Sequence, residues 1–333
     1  ILAEPQRTNL ITYSEDFSQW STNATVTLNA AISPDGTQNA SLFSHSGGSF
    51  PQVALTGITF VSGADYSPSL YVKSDGTSQV QHSLLINNVV VNFTPTDEWV
   101  RISDLIVSPD TSGSFVIAQN SGSSVAASFY IWGAQLEAGS YATSYIPNFG
   151  TALGVTRNQD IFTRDGIGSL INSEEGVLFL EVALLDSSGF NWWLSITDGT
   201  STNSIAFVFE STGNTTARLD NASGNQAYLS YAGDYSQNRK LAFKWKASDF
   251  ALWIDGYEVV TTSSGSTFAS GVLNSLQFSH GSGSNTFNGK VKQLQVYDTS
   301  LSDEQLLQLT GESGTDFYES YAEMASALTY TIQ

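Results

Sequence analysis

The 333-residue sequence contains no cysteine, and it has only 12 Lys and Arg residues against 31 Asp and Glu residues. The absence of cysteine excludes disulfides and thiolate metal sites, so stability must come from burial of a core and from assembly. The formal net charge of −19 predicts that the protein binds neither nucleic acid nor an anionic membrane surface, because it has no basic stripe. No run of about 18 apolar residues is present, so we expect no membrane insertion.

The composition favours an all-β protein. Only 13% of the residues are charged, aromatics reach 12%, and Ser, Thr, Asn and Gly are abundant. Short alternating runs are separated by turn sequences such as Ser33-Pro34-Asp35-Gly36, which is typical of sandwiches and jelly rolls. We therefore predict two tandem antiparallel β-sandwiches of the jelly-roll type with a short C-terminal helical tail.

The length predicts more than one domain. Residues 147–154 form a loop that contains Gly, Pro and Asn, and this loop is the expected boundary. The predicted divisions are residues 1–150, residues 151–312 and a tail of residues 313–333. Because Ile1 lies within a strand-like segment, we also expect the natural chain to extend upstream of it.

Two segments bracket the first predicted domain. They are EPQRTNLITYSEDFSQW at residues 4–20 and YIWGAQLEAGSYATSYIP at residues 130–147. As a pair they resemble a module of structural proteins of tailed bacteriophages, which implies a tail fibre, a head fibre or another virion appendage. The strand order is also similar to carbohydrate-binding jelly rolls of the galactose-binding-like architecture. Many of those hold a structural calcium with an acidic pair, but Trp132-Gly133 stands at the matching positions here.

The second predicted domain ends with two further signals. A hairpin at residues 253–259 carries Asp255-Gly256, the signature of a type I′ turn. The last strand runs into a short helix with Ser302 as its N-cap, Gln305 completing a capping box and Gly311 ending it. In this order the two signals resemble the concanavalin A-like, laminin-G-like jelly roll, a family that implies a fold more firmly than a function.

The tail has helical periodicity, which predicts an amphipathic helix. Its apolar side consists of Phe317, Tyr318, Tyr321, Met324 and Leu328. Two interpretations stay open, packing against its own domain or contact with a neighbouring protomer. The resemblance implies a homo-oligomer, and a trimer is favoured because trimers are common in such appendages.

Catalytic chemistry is poorly represented. Glycoside hydrolysis normally needs a pair of carboxylates around the scissile bond, and no predicted strand carries acids at successive alternating positions. None of the three histidines, His45, His82 and His280, stands in a recognisable motif, and His82 is expected on the face of a strand. We therefore predict a protein that is not an enzyme.

Binding chemistry is better represented in the second domain. Trp192 and Trp193 are adjacent in a strand, so one ring is expected in the core and the other on the outer face. Asp198, in the sequence Asp198-Gly199-Thr200, is a candidate calcium ligand or a simple turn former. His280 and Asn285 belong to a polar loop that is a candidate ligand contact. Trp20, Trp99, Trp132 and Trp245 lie within apolar patterns and are expected in cores.

These observations predict a structural protein of the virion surface that attaches to bacterial surface glycans. The expected partners are the glycan, other virion proteins and further copies of the chain. The sequence indicates no certain cofactor, and calcium is the one candidate. Two alternatives remain, a polysaccharide depolymerase on the concanavalin A-like fold and a secreted or prophage-encoded carbohydrate-binding protein.

Overall fold

The computed structural model describes residues 1–48, 50–77, 80–87, 89–119, 125–185 and 191–311. The chain forms two compact units, one of residues 4–160 and one that combines residues 1–3 with residues 161 onward. We call them the first and the second sandwich. The division falls after Asp160 rather than at position 150, because the strand Val155–Arg157 pairs with Arg7–Asn9.

Strand β1 (Leu2–Ala3) belongs to the second sandwich. The first sandwich contains β2 (Arg7–Asn9), β3 (Ser21–Thr22), β4 (Thr25–Ala31), β5 (Ala40–His45), β6 (Gln52–Thr59), β7 (Asp65–Ser74), β8 (His82–Ile86), β9 (Val89–Phe93), β10 (Val100–Ser103), β11 (Ile106–Val107), β12 (Ser112–Gln119), β13 (Ala127–Ala138) and β14 (Val155–Arg157). A 3₁₀ turn at Phe17–Gln19 begins with Asp16, whose carboxylate accepts the backbone N–H of Ser18.

Two antiparallel sheets build the first sandwich. One has the order β10-β7-β13-β5-β4, with β11 also paired to β7, and the other has the order β3-β6-β12-β8-β9. Alternate residues of each strand point between the sheets. The buried core contains Phe43, Leu84, Phe115, Phe129 and Ile131 among others. Burial of such side chains stabilises the fold by about 1.5–3 kcal/mol each.

A buried polar network closes the first sandwich and explains why the two bracketing segments occur together. The amide of Asn9 is fully buried. Its nitrogen donates to the hydroxyl of Ser14 and the carbonyl of Ile146, and its oxygen accepts the backbone N–H groups of Ile11 and Leu136. One side chain therefore holds the opening segment against the closing segment.

The closing strand β13 bends at Gly133, where its pairing with β7 changes register. Gly133 has φ of +64°, and a Cβ atom there would lie 3.3 Å from the rings of both Tyr145 and Tyr71. Glycine thus allows a left-handed backbone and close packing of aromatic rings at the same position. This gives the Trp132-Gly133 pair of the sequence a structural role.

The second sandwich contains, besides β1, the strands β15 (Thr163–Asp165), β16 (Glu175–Leu184), β17 (Trp192–Thr197), β18 (Ser204–Phe209), β19 (Asn214–Asn221), β20 (Gly224–Ala232), β21 (Arg239–Lys246), β22 (Phe250–Ile254), β23 (Tyr257–Thr262), β24 (Ser275–Gln277) and β25 (Gly289–Tyr297). A 3₁₀ turn lies at Gly168–Leu170, and the helix α1 spans Asp303–Thr310.

Its strands form two six-stranded antiparallel sheets, with the orders β1-β25-β16-β21-β22-β23 and β15-β24-β17-β18-β19-β20. Their inner faces bury a core that includes Leu178, Phe207, Phe243 and Trp245. On the outer face of the first of these sheets, Phe179 and Trp253 pack with Leu306 of α1. No such cluster covers the described residues of the opposite sheet beyond Trp193, Ala206 and Val208.

The all-β prediction is confirmed, with two antiparallel sandwiches. The Asp255-Gly256 turn has φ of +48° and +86°, as a type I′ turn requires. Ser302 and Gln305 form the predicted capping box at the start of α1. Within the described part of the chain, no helix is long and apolar enough to cross a bilayer.

Trp99 is only partly buried, and its indole donates to the carbonyl of Ile32, so its expected place in the core was wrong. Trp99 precedes the strand Val100–Ser103, and both Glu98 and Val100 beside it are exposed. The predicted tail of residues 313–333, with its aromatic stripe, lies outside the described residues.

Candidate functional site

The adjacent tryptophans of β17 point to opposite sides of their sheet, as their sequence positions predict. Trp192 joins Leu194 and Ile196 in the core, so its ring is not available to a ligand. Trp193 lies on the outer face with Ala206 and Val208 of the neighbouring strand. The outer face of this sheet therefore carries the candidate binding groups near Trp193.

Trp193 is itself only 7% exposed because other side chains cover it. The ring of His280 contacts it edge-on with 4.4 Å between centroids. The guanidinium carbon of Arg218 lies 5.4 Å from the indole centroid, within the range of a cation–π interaction. Trp193 therefore acts as a support that orients an imidazole and a guanidinium.

The loop that carries His280 is attached to β17 by backbone contacts. The N–H of Trp193 donates to the carbonyl of Asn285 at 3.0 Å, and Asn285 has φ of +53°. Within the loop, the N–H of His280 donates to the carbonyl of Ser284 at 2.8 Å. Burial lowers the pKa of His280, and the charge of Arg218 lowers it further, so the imidazole is neutral at pH 7.

Arg218 is held in a forked ion pair on β19. Its Nε and Nη2 donate to the two carboxylate oxygens of Asp220, at 2.5 and 3.1 Å. The amide nitrogen of Asn225 donates to the same carboxylate at 3.1 Å. The Arg218 side chain is about one-third exposed, whereas that of Asp220 is largely buried. The pair thus presents donors in a fixed orientation toward solvent.

Tyr228 of β20 stands directly opposite Arg218 in the sheet. It is 53% exposed, and its hydroxyl donates to Oε1 of Glu210 at 2.7 Å, an oxygen that also accepts the hydroxyl of Thr216. Burial would raise the pKa of Glu210, but these hydrogen bonds outweigh it and hold the pKa below its usual value. Glu210 is therefore an ionised acceptor at neutral pH.

We call this surface the polar-aromatic face. It consists of Trp193, Glu210, Arg218, Asp220, Tyr228 and His280. Strand alternation places Ser195, Thr197 and Thr216 on the same side of the sheet, where all three are fully buried. The groups that reach the surface are the ring of Tyr228, the guanidinium of Arg218, the carboxylate of Glu210 and the imidazole of His280.

Asp198 lies in a turn beside the loop of His280, and its two carboxylate oxygens are satisfied within that turn. Oδ1 accepts the N–H and hydroxyl of Thr200, and Oδ2 accepts the amide of Asn203 at 2.7 Å. Burial would raise the pKa of Asp198, but these bonds outweigh it and lower the pKa. In the described residues, no group of three or more His, Asp or Glu side chains could hold a metal ion.

The structure thus brings Trp193, His280 and Asn285 together and places Trp192 in the core. Sequence reasoning missed Glu210, Arg218, Asp220 and Tyr228. One signal was available: Thr216, Arg218 and Asp220 alternate with Ala217 and Leu219, which predicts one polar strand face carrying a rare basic residue. The loop contact of His280 with Trp193 had no comparable signal, because it joins segments distant in sequence.

The sequence matches no protein-family model and no curated protein. The structure is similar to the CBM40 module of Ruminococcus gnavus IT-sialidase bound to α2,3-sialyllactose, with 19% identity and a TM-score of 0.38 over 45% of this chain and 98% of that chain. It is similar to domains LG4-5 of the mouse laminin alpha1 chain, with 11% identity and a TM-score of 0.30 over 80% and 91% of the two chains. It is also similar to tail fibre protein gp63.1 of an E. coli phage, with 11% identity and a TM-score of 0.25 over 89% of this chain and 42% of that chain. We therefore base the functional proposal on the geometry of this chain and on its sequence motifs.

Proposed function

We propose that the polar-aromatic face of the second sandwich binds a glycan. The observation that carries this proposal is the half-exposed ring of Tyr228 beside the fixed Arg218–Asp220 pair. An exposed ring on a rigid strand offers an apolar surface to the C–H face of a sugar. Flanking donors and acceptors with fixed positions can then recognise its hydroxyl groups.

The charge of the site favours a neutral glycan. Arg218 is paired with Asp220, Glu210 is ionised and His280 is neutral, so the face has no unpaired positive charge to attract a sugar carboxylate. The net charge of −19 over the chain adds a repulsive field for polyanions. A neutral polysaccharide of a bacterial surface fits these conditions.

The arrangement supports binding more than cleavage. A glycosidase needs one carboxyl group that is protonated at the working pH to serve as the general acid. Glu210 has a lowered pKa and Asp220 is bound to Arg218, so neither carboxyl is prepared for that role. We therefore propose a non-catalytic protein, and new reducing ends or unsaturated products released from a bound polysaccharide would contradict this.

We further propose that the chain is a structural component of the virion surface of a tailed bacteriophage. The support is the paired opening and closing segments at residues 4–20 and 130–147, which resemble modules of such appendages. The partners would then be other virion proteins and further copies of the chain, with a trimer expected. A solution mass equal to that of one 35.7 kDa chain would instead favour a secreted or prophage-encoded carbohydrate-binding protein.

Glycan binding can be tested with a matched pair of tyrosine variants. Tyr228→Ala removes the exposed ring of the polar-aromatic face, whereas Tyr257→Ala removes a ring that is 73% exposed on the other sheet. On an array of neutral and acidic bacterial glycans, we expect Tyr228→Ala to weaken binding at least about tenfold. Tyr257→Ala should bind like the unaltered protein.

Equal binding by the unaltered protein and Tyr228→Ala would show that the glycan site lies elsewhere. Preferential binding of acidic glycans would contradict the charge argument even if Tyr228 proved essential. Melting curves of both variants provide the folding control. Because both tyrosines are exposed, neither substitution should change stability by more than about 0.5 kcal/mol.

A further inference from the structure

Two imidazoles meet in the first sandwich, far from the polar-aromatic face in sequence. His45 ends β5 of one sheet, and His82 begins β8 of the other. Their Nε2 atoms are 3.2 Å apart, so one nitrogen must donate a hydrogen bond and the other must accept it. This hydrogen bond joins the two sheets of the sandwich at one end.

The neighbouring backbone groups determine which nitrogen carries the proton. His82 Nδ1 lies 2.8 Å from the carbonyl of Val80, and a carbonyl can only accept, so Nδ1 of His82 is protonated. The N–H of Gly47 donates to Nδ1 of His45 at 3.3 Å, so that nitrogen is not protonated. His45 therefore donates from Nε2, and His82 accepts at Nε2.

Both imidazoles are neutral in this arrangement, and each has only one nitrogen free to take up a proton. A proton on His82 Nε2 would face the N–H of His45, and a proton on His45 Nδ1 would face the N–H of Gly47. Either event places two donors against each other. A proton on His82 therefore breaks the hydrogen bond between the sheets, whereas a proton on His45 breaks the contact with Gly47 and leaves its Nε2 donating to His82.

The surroundings oppose charge at this position. His82 is 1% exposed, and its ring contacts the rings of Phe43, Phe93 and Phe129. Burial lowers the pKa of His82 to about 4, and His45 is the one titratable group that acts on it. Burial also lowers the pKa of His45. No acid among the described residues therefore compensates a charge on either ring through these interactions.

The pair lies beneath a surface groove of about 530 Å³. His45 lines this groove together with hydroxyl side chains from three strands and their connections, which are Thr25, Ser44, Ser46, Thr77 and Ser128. The acid at its border is Asp75, which accepts hydrogen bonds from Thr77 and Ser128. Separation of the sheets at the histidine pair would therefore widen the groove.

We propose that His45 and His82 form an acid-operated switch that holds this end of the first sandwich closed at neutral pH and opens it when His82 takes up a proton. The folded pair binds fewer protons than the open state. Closure is therefore fully favoured above the ordinary pKa of histidine, near 6.5, and is lost as the pH falls from there toward 4. The switch is independent of glycan binding by the second sandwich.

The first test determines which nitrogen of each imidazole carries the proton. Long-range ¹H–¹⁵N correlation spectra of the full chain report the tautomer of each of its three histidines. At pH 7.5 we expect His45 with its proton on Nε2 and His82 with its proton on Nδ1, both titrating below the ordinary histidine range. Identical tautomers for the two rings, or independent titration of both near pH 6.5, would overturn the proposal.

The second test measures how far this end of the first sandwich opens at acid pH. Hydrogen exchange of the full chain, corrected for the intrinsic pH dependence of exchange, compares pH 7.5 with pH 5. For a histidine with a pKa of about 4 when closed, linkage predicts a roughly 30-fold smaller ratio of closed to open molecules at pH 5. The change should be confined to peptides of β5 and β8, and unchanged exchange there would contradict the switch.

Variants separate the switch from general acid sensitivity. In His45→Gln the amide can donate to neutral His82 and, when turned over, accept from protonated His82, so closure at pH 7.5 should persist with a weaker response to acid. Adding His82→Phe fills the aromatic surroundings and should remove the response. His280→Gln, the third histidine, is the control and should keep the full response. If the double variant does not fold, His45→Gln and the spectra decide the question, and an unaltered acid response in His45→Gln would count against the pair.

Discussion

Each sandwich carries a cluster that combines a tryptophan, an arginine and a tyrosine hydrogen-bonded to a glutamate, and the first cluster includes a second tyrosine, Tyr71. The two clusters differ in exposure. In the first sandwich, Trp132 packs against Tyr71 and Tyr145, and the guanidinium of Arg101 lies 5.5 Å from the Tyr71 centroid. The hydroxyl of Tyr145 donates to Glu15 at 2.9 Å. In the second sandwich, the corresponding types are Trp193, Arg218, Tyr228 and Glu210.

The first cluster joins distant parts of the chain, because Glu15 and Tyr145 are 130 positions apart. Burial of Tyr145 raises the pKa of its hydroxyl, and burial raises the pKa of Glu15. The second cluster lies on neighbouring strands, with Glu210 and Tyr228 only 18 positions apart, and Tyr228 is half exposed. The same residue types thus close a fold in one sandwich and form a candidate site in the other.

The largest expected effect concerns the closing network of the first sandwich. Asn9→Ala would leave the N–H groups of Ile11 and Leu136 and the carbonyl of Ile146 buried without their partner. We expect the free energy of unfolding of the first sandwich to fall by about 3–5 kcal/mol. Hydrogen exchange of the full chain, followed peptide by peptide, measures the loss.

Asn92→Ala is the control, because Asn92 is exposed on a strand of the same sandwich and its side-chain oxygen accepts the hydroxyl of Ser83. The Asn92→Ala substitution should lower the free energy of unfolding of the first sandwich by less than about 1 kcal/mol. If Asn9→Ala proved equally mild, the bracketing segments would not owe their association to Asn9. Glycan binding by the second sandwich should survive in both variants.

A smaller difference in stability is expected between variants of the two tyrosine–glutamate pairs, Tyr145–Glu15 and Tyr228–Glu210. Tyr145→Phe removes a hydrogen bond to the partly buried Glu15, so the first sandwich should lose about 1–2 kcal/mol of stability. Tyr228→Phe removes an exposed hydroxyl from Glu210 but keeps the ring, so stability should change by less than about 0.5 kcal/mol. Urea unfolding of both variants measures the difference, and equal losses would show that exposure does not distinguish the clusters.

The smallest expected effect is the pH response of the polar-aromatic face. The lowered pKa of Glu210 keeps its carboxylate ionised at neutral pH, and the lowered pKa of His280 keeps that ring neutral above the ordinary histidine pKa near 6.5. Glycan affinity measured by calorimetry should therefore change less than about twofold between pH 8 and pH 6.5. A bell-shaped profile centred in this range would instead indicate a titrating group in the site.

Features that depend on residues close together in the sequence were predicted, and features that depend on distant segments were not. The capping box of Ser302 and Gln305 and the turn at Asp255 depend on residues within a few positions, so sequence reasoning found them. The opposite orientation of Trp192 and Trp193 follows from strand alternation alone. The burial of Trp193 by Arg218 and His280 depends on three separate segments, and no local pattern reports such a contact.

The sequence by itself determined the all-β class, the presence of two sandwiches, the acidic surface and the lack of disulfides. These properties depend on composition and on periodicities of a few residues. Only the tertiary structure decided that Arg218 and Tyr228 belong to an exposed face and that His45 and His82 form a hydrogen bond between two sheets. Such pairings depend on which strands become neighbours, and strand pairing is decided by burial of the whole core rather than by any short segment.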